Sequence, residues 1–345
     1  MFDEAIENIL AAISQKDASK EIYPKFSGEG YSACKIDLNN FHQIQKTNNN
    51  KKIAFVDGGS AEIIGSANFS LSLIRACYAI YQNNKKLGFK RFEILALVQA
   101  VSQDNEIFYK TSFFKTGSSI DLQEISFSSF DHSIMVGINR AEIGSVANAI
   151  RRFAELSLAK LASERKIADI IVIDGNLQST LTNENKYLNE LYESCGKNSI
   201  KLSALSKTNS LFTNDGYLLS AVLADMGNLN SWFYYPIAEI NNAGHKAEIF
   251  FVKLHERSKH IFMLEIFNRQ KADAEEIINA LAGNCVDPVF IGYPYGMVEA
   301  DRLARISHHE KESLKARFMF KLEGKNIDKY LGSKNAHEIL DRISF

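Results

Sequence analysis

The chain has 345 residues, of which 46% are hydrophobic and 23% charged, so it holds enough apolar material for one large core or two modest ones. Forty Lys and Arg against 41 Asp and Glu give a formal net charge of -1, which excludes the global basic field of many nucleic-acid-binding proteins. The four cysteines form no CxxC pair, a pattern that argues against a zinc site and is typical of reduced thiols in an intracellular protein.

The N-terminal segment spaces its apolar residues like an amphipathic helix, at Phe2, Ile6, Ile9, Leu10 and Ile13. It is acidic, unlike a signal peptide, and no stretch approaches the roughly 18 apolar residues of a membrane span. We therefore expect a cytoplasmic protein without a membrane segment. Because no Gly/Ser-rich linker divides the chain, we expect an N-terminal helical extension (1–50), one main domain (51–325) and a C-terminal tail (326–345).

The central part of the chain changes from strand patterns to alternating helices and strands. A strand at 53–56 precedes three segments that predict antiparallel strands: AEIIGSANFSLSLIRACYAIY, FEILALVQAVSQ and EIFYKTSFF. Helical periodicity follows from Glu142 to about Glu164, then the buried strand ADIIVIDGNL, a helix at about 183–196 and the strand IKLSALSKT. This order predicts an α/β fold with a ribonuclease H-like core, a mixed sheet, an antiparallel flank and added helices.

Two of the predicted strands end in Asp-Gly, at Asp57 in FVDGG and at Asp174 in VIDGN. If these strands are parallel neighbours, both carboxylates lie at the same edge of the sheet. Close carboxylates repel unless a proton or cation lies between them, and their oxygens suit Mg²⁺ or Mn²⁺, ions that can activate water for phosphodiester cleavage. The alternative is that Asp-Gly makes only a tight turn, and at FVDGG we expect Gly58 and Gly59 to turn the chain as well.

Six motifs in order carry a family resemblance: IAFVDGGS, SLIRA, AIRRFAELSLAKL, IIVIDGNL, LSKT and GYPYGMVEADRLARIS. They extend from about residue 51 to 310, and the chain resembles the NurA family of archaeal and bacterial nucleases. The resemblance implies a ribonuclease H-like, metal-dependent DNA nuclease, acting as a 5′–3′ exonuclease and/or single-strand endonuclease in DNA end resection and repair. It also implies a homodimer that works with a HerA-type hexameric ATPase.

The resemblance further implies which residues form the site. Asp57, Glu155 and Asp174 match its metal-binding acids, and Tyr293 and Asp301 match a C-terminal pair, with Mn²⁺ or Mg²⁺ as cofactor. Tyr293 is expected to orient water or phosphate. Asp301 stands where the family usually has histidine; an aspartate still offers oxygen to a metal but is no imidazole acid near neutral pH.

Glu155 has a second interpretation. Helical geometry places it about 140° from the centre of the apolar stripe of its helix, which favours a solvated helix face. The family match alone favours a metal ligand, and Glu142 is the fallback carboxylate.

Basic residues of the motifs are candidate contacts to DNA. Lys207 in LSKT follows a strand that should end near the same edge, and we expect it to hold a phosphate as a point charge. The other candidates are Arg75, Arg151, Arg152, Arg302 and Arg305. For Lys207 and for all of these arginines except Arg75, a solvated surface position is the alternative.

Two other functions stay open at this point. Sugar kinases and actin-like ATPases also place DGGS-like phosphate loops at strand ends, although this chain shows only isolated glycines where an adenosine-binding loop is needed. The third possibility is a catalytically inactive adaptor of the ATPase ring, which the Asp301 departure favours and the two strand aspartates oppose.

Overall fold

The computed structural model describes residues 2–14, 21–45, 50–117 and 120–322. Its helices are α1 (Phe2–Ser14), α2 (Val146–Glu164), α3 (Glu184–Asn198), α4 (Leu219–Met226), α5 (Ala274–Ala282), α6 (Tyr295–Ala304) and α7 (His308–Leu322). None of these helices is long and apolar enough to cross a membrane. The predicted tail at 326–345 lies outside the described residues.

The strands differ widely in length, and the four longest are consecutive. They are β1 (Pro24–Lys25), β2 (Tyr31–Ala33), β3 (Phe41–Gln43), β4 (Ile53–Gly65), β5 (Phe69–Gln82), β6 (Lys85–Gln103), β7 (Glu106–Lys115), β8 (Ser126–Ser128), β9 (Ile170–Asp174), β10 (Lys201–Ser206), β11 (Phe212–Thr213), β12 (Trp232–Tyr234), β13 (Ala238–Ile240), β14 (Ala247–Lys253) and β15 (Phe262–Phe267).

Eleven of the described strands form one mixed sheet in the order β3-β12-β14-β15-β10-β9-β4-β5-β6-β7-β8. The centre is parallel, because β9 pairs in parallel with both β4 and β10. On one side, β4 to β8 form an antiparallel meander. The predicted mixed sheet with an antiparallel flank is confirmed, as are the helices near 142–164 and 183–196.

The central strands are buried on both faces. Along β4, Ala54 and Val56 pack into the core beneath α2 and α3, whereas Ile53 and Phe55 pack into the core beneath α5 and α6. Strand β9 divides in the same way, which explains its continuous apolar run. The carboxyl ends of β9 and β10 therefore open between two layers of helices.

Two sequence expectations differ from the structure here. FVDGG does not turn: β4 continues through Gly58 and Gly59 to Gly65, and the chain turns only at 66–68. The segment 1–50 is not purely helical, because residues 24–43 contribute three strands, one of which pairs with β12 in the main sheet. The buried Ile36 and Ile44 tie this segment to the cores.

Candidate active site

The register of the parallel strands brings the two Asp-Gly aspartates together. Val56 and Ile173 are partners across the β4–β9 ladder, so Asp57 and Asp174 are the next residue on each strand. Strand β9 ends at Asp174, because Gly175 takes a φ of +101°, which favours glycine. On the other side Asp174 pairs with Leu205 of β10, and Lys207 follows two residues later.

The ammonium of Lys207 lies among three carboxylates. Its Nζ is 2.8 Å from Asp174 Oδ2, 3.2 Å from Asp301 Oδ1 and 3.9 Å from Asp57 Oδ2. These acids come from β9, α6 and β4 respectively, so tertiary folding alone unites them.

Asp57 is the most deeply buried of the three aspartates. Its side chain is only 5% exposed, while that of Asp174 is 23% exposed. Burial, followed by the charges of Asp174 and Glu155, raises the pKa of Asp57 to about 8, although Lys207 opposes the shift. Near neutral pH the Asp57 carboxyl therefore keeps its proton unless a further cation comes close.

Glu155 reaches the same place from α2 and is buried, so the solvated helix face does not describe it. Burial raises the pKa of Glu155, and Arg151 and Arg152 lower it. Arg151 Nη1 donates to Glu155 Oε1 at 3.1 Å and to the Gly58 carbonyl oxygen at 3.2 Å. A Cβ at Gly58 would lie 2.6 Å from Glu155 Oε1, so glycine there lets the helix approach the strand.

The loop that follows Asp174 is held in place by hydrogen bonds to its backbone groups. Ser206 Oγ donates to the Gly175 carbonyl at 2.8 Å, Arg152 Nη2 to the Asn176 carbonyl at 2.5 Å, and Leu177 N to Glu265 Oε2 at 2.6 Å. This fixed backbone restricts where the Asp174 carboxylate can go.

Glu184, at the start of α3, is a buried acid that the sequence reasoning missed. It accepts from Arg152 Nε at 2.8 Å and from the backbone N–H groups of Thr180 and Leu181. An acid in a first helical turn is ordinary, so its pairing with Arg152 had no sequence signal.

Tyr293 precedes α6 and is buried, with its ring against Phe262 and Phe290. Burial and the charges of Asp174, Asp57 and Asp301 raise its pKa, so its hydroxyl stays protonated and can donate. Among the described residues this hydroxyl has no hydrogen-bond partner. It is a buried donor beside the carboxylates.

A comparison with known protein families gives a match over most of the chain. The NurA domain matches residues 51–306 of the chain, a range that holds every site residue described above. The chain belongs to the NurA domain family. Membership implies a nuclease. A search of curated proteins finds no match.

Solved structures show the fold of this NurA domain. The NurA nuclease from Sulfolobus solfataricus is 17% identical, with a TM-score of 0.52 over 93% of this chain and 94% of that one. The catalytic domain of human Endonuclease V is 11% identical (TM-score 0.39; 77% and 84% covered), and Drosophila Piwi is 10% identical (TM-score 0.30; 74% and 29% covered). The predicted ribonuclease H-like fold is confirmed.

A cavity of about 480 Å³ adjoins the site of the NurA domain, between α2, the loop after β9 and the end of β10. Its lining combines acids and cations, among them Asp57, Glu155, Asp174, Arg151, Arg152 and Lys207. The volume lies within the roughly 300–1,000 Å³ of small-ligand sites. Because both signs of charge face the cavity, it suits a phosphate bound through a cation.

The donor chemistry fits a hard divalent cation. Asp57, Glu155, Asp174 and Asp301 offer carboxylate oxygens, the ligands that Mg²⁺ and Mn²⁺ take. Within the described ranges, no three acidic, histidine or cysteine side chains stand close enough to enclose an ion as they are placed. At this site the Lys207 ammonium lies among the three aspartates.

The predicted DNA contacts differ in accessibility. Arg151 is 36% exposed at the cavity, whereas Arg152 is 12% exposed and held by Glu184. Arg305 is exposed next to Asp301, 3.2 Å away. Arg302 is also exposed, but it lies about 100° from Asp301 around the axis of α6 and pairs with Glu299.

Arg75 does not fit the prediction of a DNA contact. Its side chain is only 3% exposed and forms ion pairs with Glu93 at 2.6 Å and with Glu310 at 2.9 Å. It also donates to the Arg305 carbonyl oxygen at 2.7 Å. Arg75 therefore joins the β-meander to the end of α6 and the start of α7, and its donors are already engaged.

The geometry also bears on the ATPase alternative. A phosphate loop needs a bend whose N–H groups face the phosphate, but Asp57, Gly58 and Gly59 pair with β5 inside a continuous strand. The open side of Gly58 faces the Glu155 carboxylate, which would repel a phosphate there.

Proposed function

We propose that this NurA domain is a metal-dependent nuclease that hydrolyses phosphodiester bonds in DNA. Family membership supports the reaction class. The observation that carries the proposal is the meeting of Asp57, Asp174 and Asp301 around one point, beside the buried Glu155. Asp57 and Glu155 are buried, and acids gathered from separate elements cost folding free energy, so such a cluster points to cation binding.

Asp57, Glu155, Asp174 and Asp301 are the residues that would hold Mn²⁺ or Mg²⁺. When bound, such an ion activates water and stabilises the leaving oxygen of a phosphodiester. The fixed loop after β9 and the Arg151–Glu155 contact hold two of the acids in position before the ion arrives.

The remaining polar groups are assigned to the phosphate. Tyr293 donates its hydroxyl hydrogen, which has no partner in the part of the chain that the structure describes, to water or to a phosphate oxygen. Lys207 and Arg151 line the cavity, and the cationic Arg305 lies beside Asp301. These three side chains neutralise neighbouring phosphates.

Finer properties rest on the family resemblance. We propose 5′–3′ exonuclease and/or single-strand endonuclease activity in DNA end resection and repair, a homodimer, and a HerA-type hexameric ATPase as partner. Oligonucleotides labelled at the 5′ or the 3′ end give the polarity, because a 5′–3′ exonuclease releases the 5′ label first. Light scattering measures the dimer, and co-purification with the ATPase measures the partnership.

The test of the central proposal uses the purified full chain with single- and double-stranded DNA. Cleavage should require Mn²⁺ or Mg²⁺ and stop when a chelator is added. If no cleavage occurs with either ion, alone or with the ATPase, the nuclease proposal fails and the inactive adaptor is favoured.

A further inference from the structure

We propose that Lys207 is the internal counter-cation of the aspartate cluster, and that its ammonium and a divalent ion exclude each other from the site. The inference rests on the proposed function, because it takes the aspartates as metal ligands. It gives Lys207 a role in metal affinity in addition to phosphate binding.

The contacts of Lys207 carry the inference. A single Nζ lies within ion-pair distance of Asp57, Asp174 and Asp301, and it donates to the last two. A simple surface ion pair joins one cation to one acid, as Lys35 does with Glu21. Here one ammonium lies among three carboxyl groups, which would repel one another if all three were ionised without it.

The distances explain why two cations cannot share this position. Metal–oxygen distances for Mg²⁺ are about 2.0–2.1 Å, so the ligand oxygens must surround the ion closely. The ammonium lies 2.8 Å from Asp174 Oδ2 and 3.2 Å from Asp301 Oδ1, and thus fills the volume among the same oxygens. Lys207 must leave when a divalent ion binds there.

Lys207 also has the freedom to leave. It follows the last residue of β10, Ser206, so its backbone lies beyond the strand, and its side chain is 39% exposed. Its four-carbon stem can swing toward the cavity, where a phosphate would be bound. Metal binding thereby frees a cation for DNA, which couples the two ligands reciprocally.

The test compares Mn²⁺ binding by the wild type, Lys207→Met and Lys201→Met, measured by calorimetry without DNA. Lys201 is a matched control, because it begins the same strand, β10, and pairs with Asp273 and Glu276 away from the site. Melting temperatures in chelator and in Mn²⁺ are recorded for all three proteins. A crystal structure of the Mn²⁺ complex supplies a readout that does not depend on a variant.

Lys207→Met should bind Mn²⁺ about tenfold more tightly or better, because binding no longer breaks charge-assisted hydrogen bonds. It should melt lower than the wild type in chelator and gain more from Mn²⁺, while Lys201→Met keeps wild-type affinity. In the crystal, Lys207 Nζ should have left Asp174 Oδ2. Equal or weaker binding by Lys207→Met, or an intact Lys207–Asp174 pair beside the ion, overturns this inference alone. If neither the wild type nor Lys207→Met binds Mn²⁺, the metal-dependent function fails as well.

Discussion

Asp57 lies inside strand β4 and Asp174 ends strand β9, yet the parallel register makes the two residues neighbours. Their environments differ, because β4 continues beneath α2 and buries Asp57, while β9 stops and leaves Asp174 partly exposed. Asp57 therefore keeps its proton to higher pH, with a pKa raised to about 8 by burial and by the charges of Asp174 and Glu155. A bound cation would remove that cost.

Gly58→Ala tests whether the contact between β4 and α2 positions Glu155. The added Cβ would meet Glu155 Oε1 at 2.6 Å and Cγ at 2.8 Å, so the buried side chain must shift. We expect the free energy of unfolding to fall by about 1–3 kcal/mol. Nuclease activity should fall by more than the loss of folded protein accounts for. Gly88→Ala is the control, because no atom of the described residues lies within 4 Å of its Cβ position. Full activity in Gly58→Ala would show that the position of Glu155 is unimportant.

The sequence predicts the two aspartates at the strand ends better than it predicts how the helices pack around them. Periodicity and Asp-Gly endings locate Asp57 and Asp174, since register depends on local pattern. The same pattern wrongly predicts a turn at Gly58, because a glycine needed for close helix approach looks like a glycine needed for a bend. Glu155 lies off the apolar stripe of α2, yet α3 and the sheet enclose that helix on more than one side. Only tertiary packing decides its burial.

Arg151 and Arg152 are adjacent in sequence but should behave differently when mutated. Arg151→Gln should weaken binding of a single-stranded oligonucleotide in chelator and lower the salt slope by about 0.7. Its melting temperature should fall less than that of Arg152→Gln, because Glu155 keeps its contact with Arg152. Arg152→Gln should destabilise the fold by about 3 kcal/mol or more, because it leaves Glu184 buried without its cation. Fluorescence anisotropy and thermal unfolding measure the two effects. Stronger destabilisation by Arg151→Gln, with weaker DNA binding only in Arg152→Gln, would contradict what the exposures of the two side chains imply.

Arg75 and Glu310 should make stability depend on acid pH. The Arg75 hydrogen bond, together with Ser307 N–H, lowers the pKa of Glu310 from 4.5 to about 2. A carboxyl whose folded pKa is depressed stabilises the fold above its unfolded pKa and loses that contribution as pH falls toward the folded value. The wild type should therefore exceed Glu310→Gln in unfolding free energy at pH 5–7, and the difference should shrink from about pH 4.5 downward. Urea denaturation between pH 3 and 7 measures it, and a pH-independent difference would contradict the ion pair.

The proposed nuclease site is tested most directly by Mn²⁺-dependent DNA cleavage by Asp57→Asn and Asp174→Asn, with Asp169→Asn as a control. Asp169 precedes the same strand, β9, and its carboxylate accepts from Lys52 N–H at 2.8 Å. Asp57→Asn should fold at least as stably as the wild type in chelator, because a neutral amide avoids the free-energy cost of protonating a buried acid whose pKa is raised to about 8. Both site variants should lose activity by about 100-fold or more, equivalent to about 2.7 kcal/mol of barrier, while Asp169→Asn stays active. Wild-type cleavage by folded Asp57→Asn and Asp174→Asn would place the chemistry elsewhere and contradict the central claim.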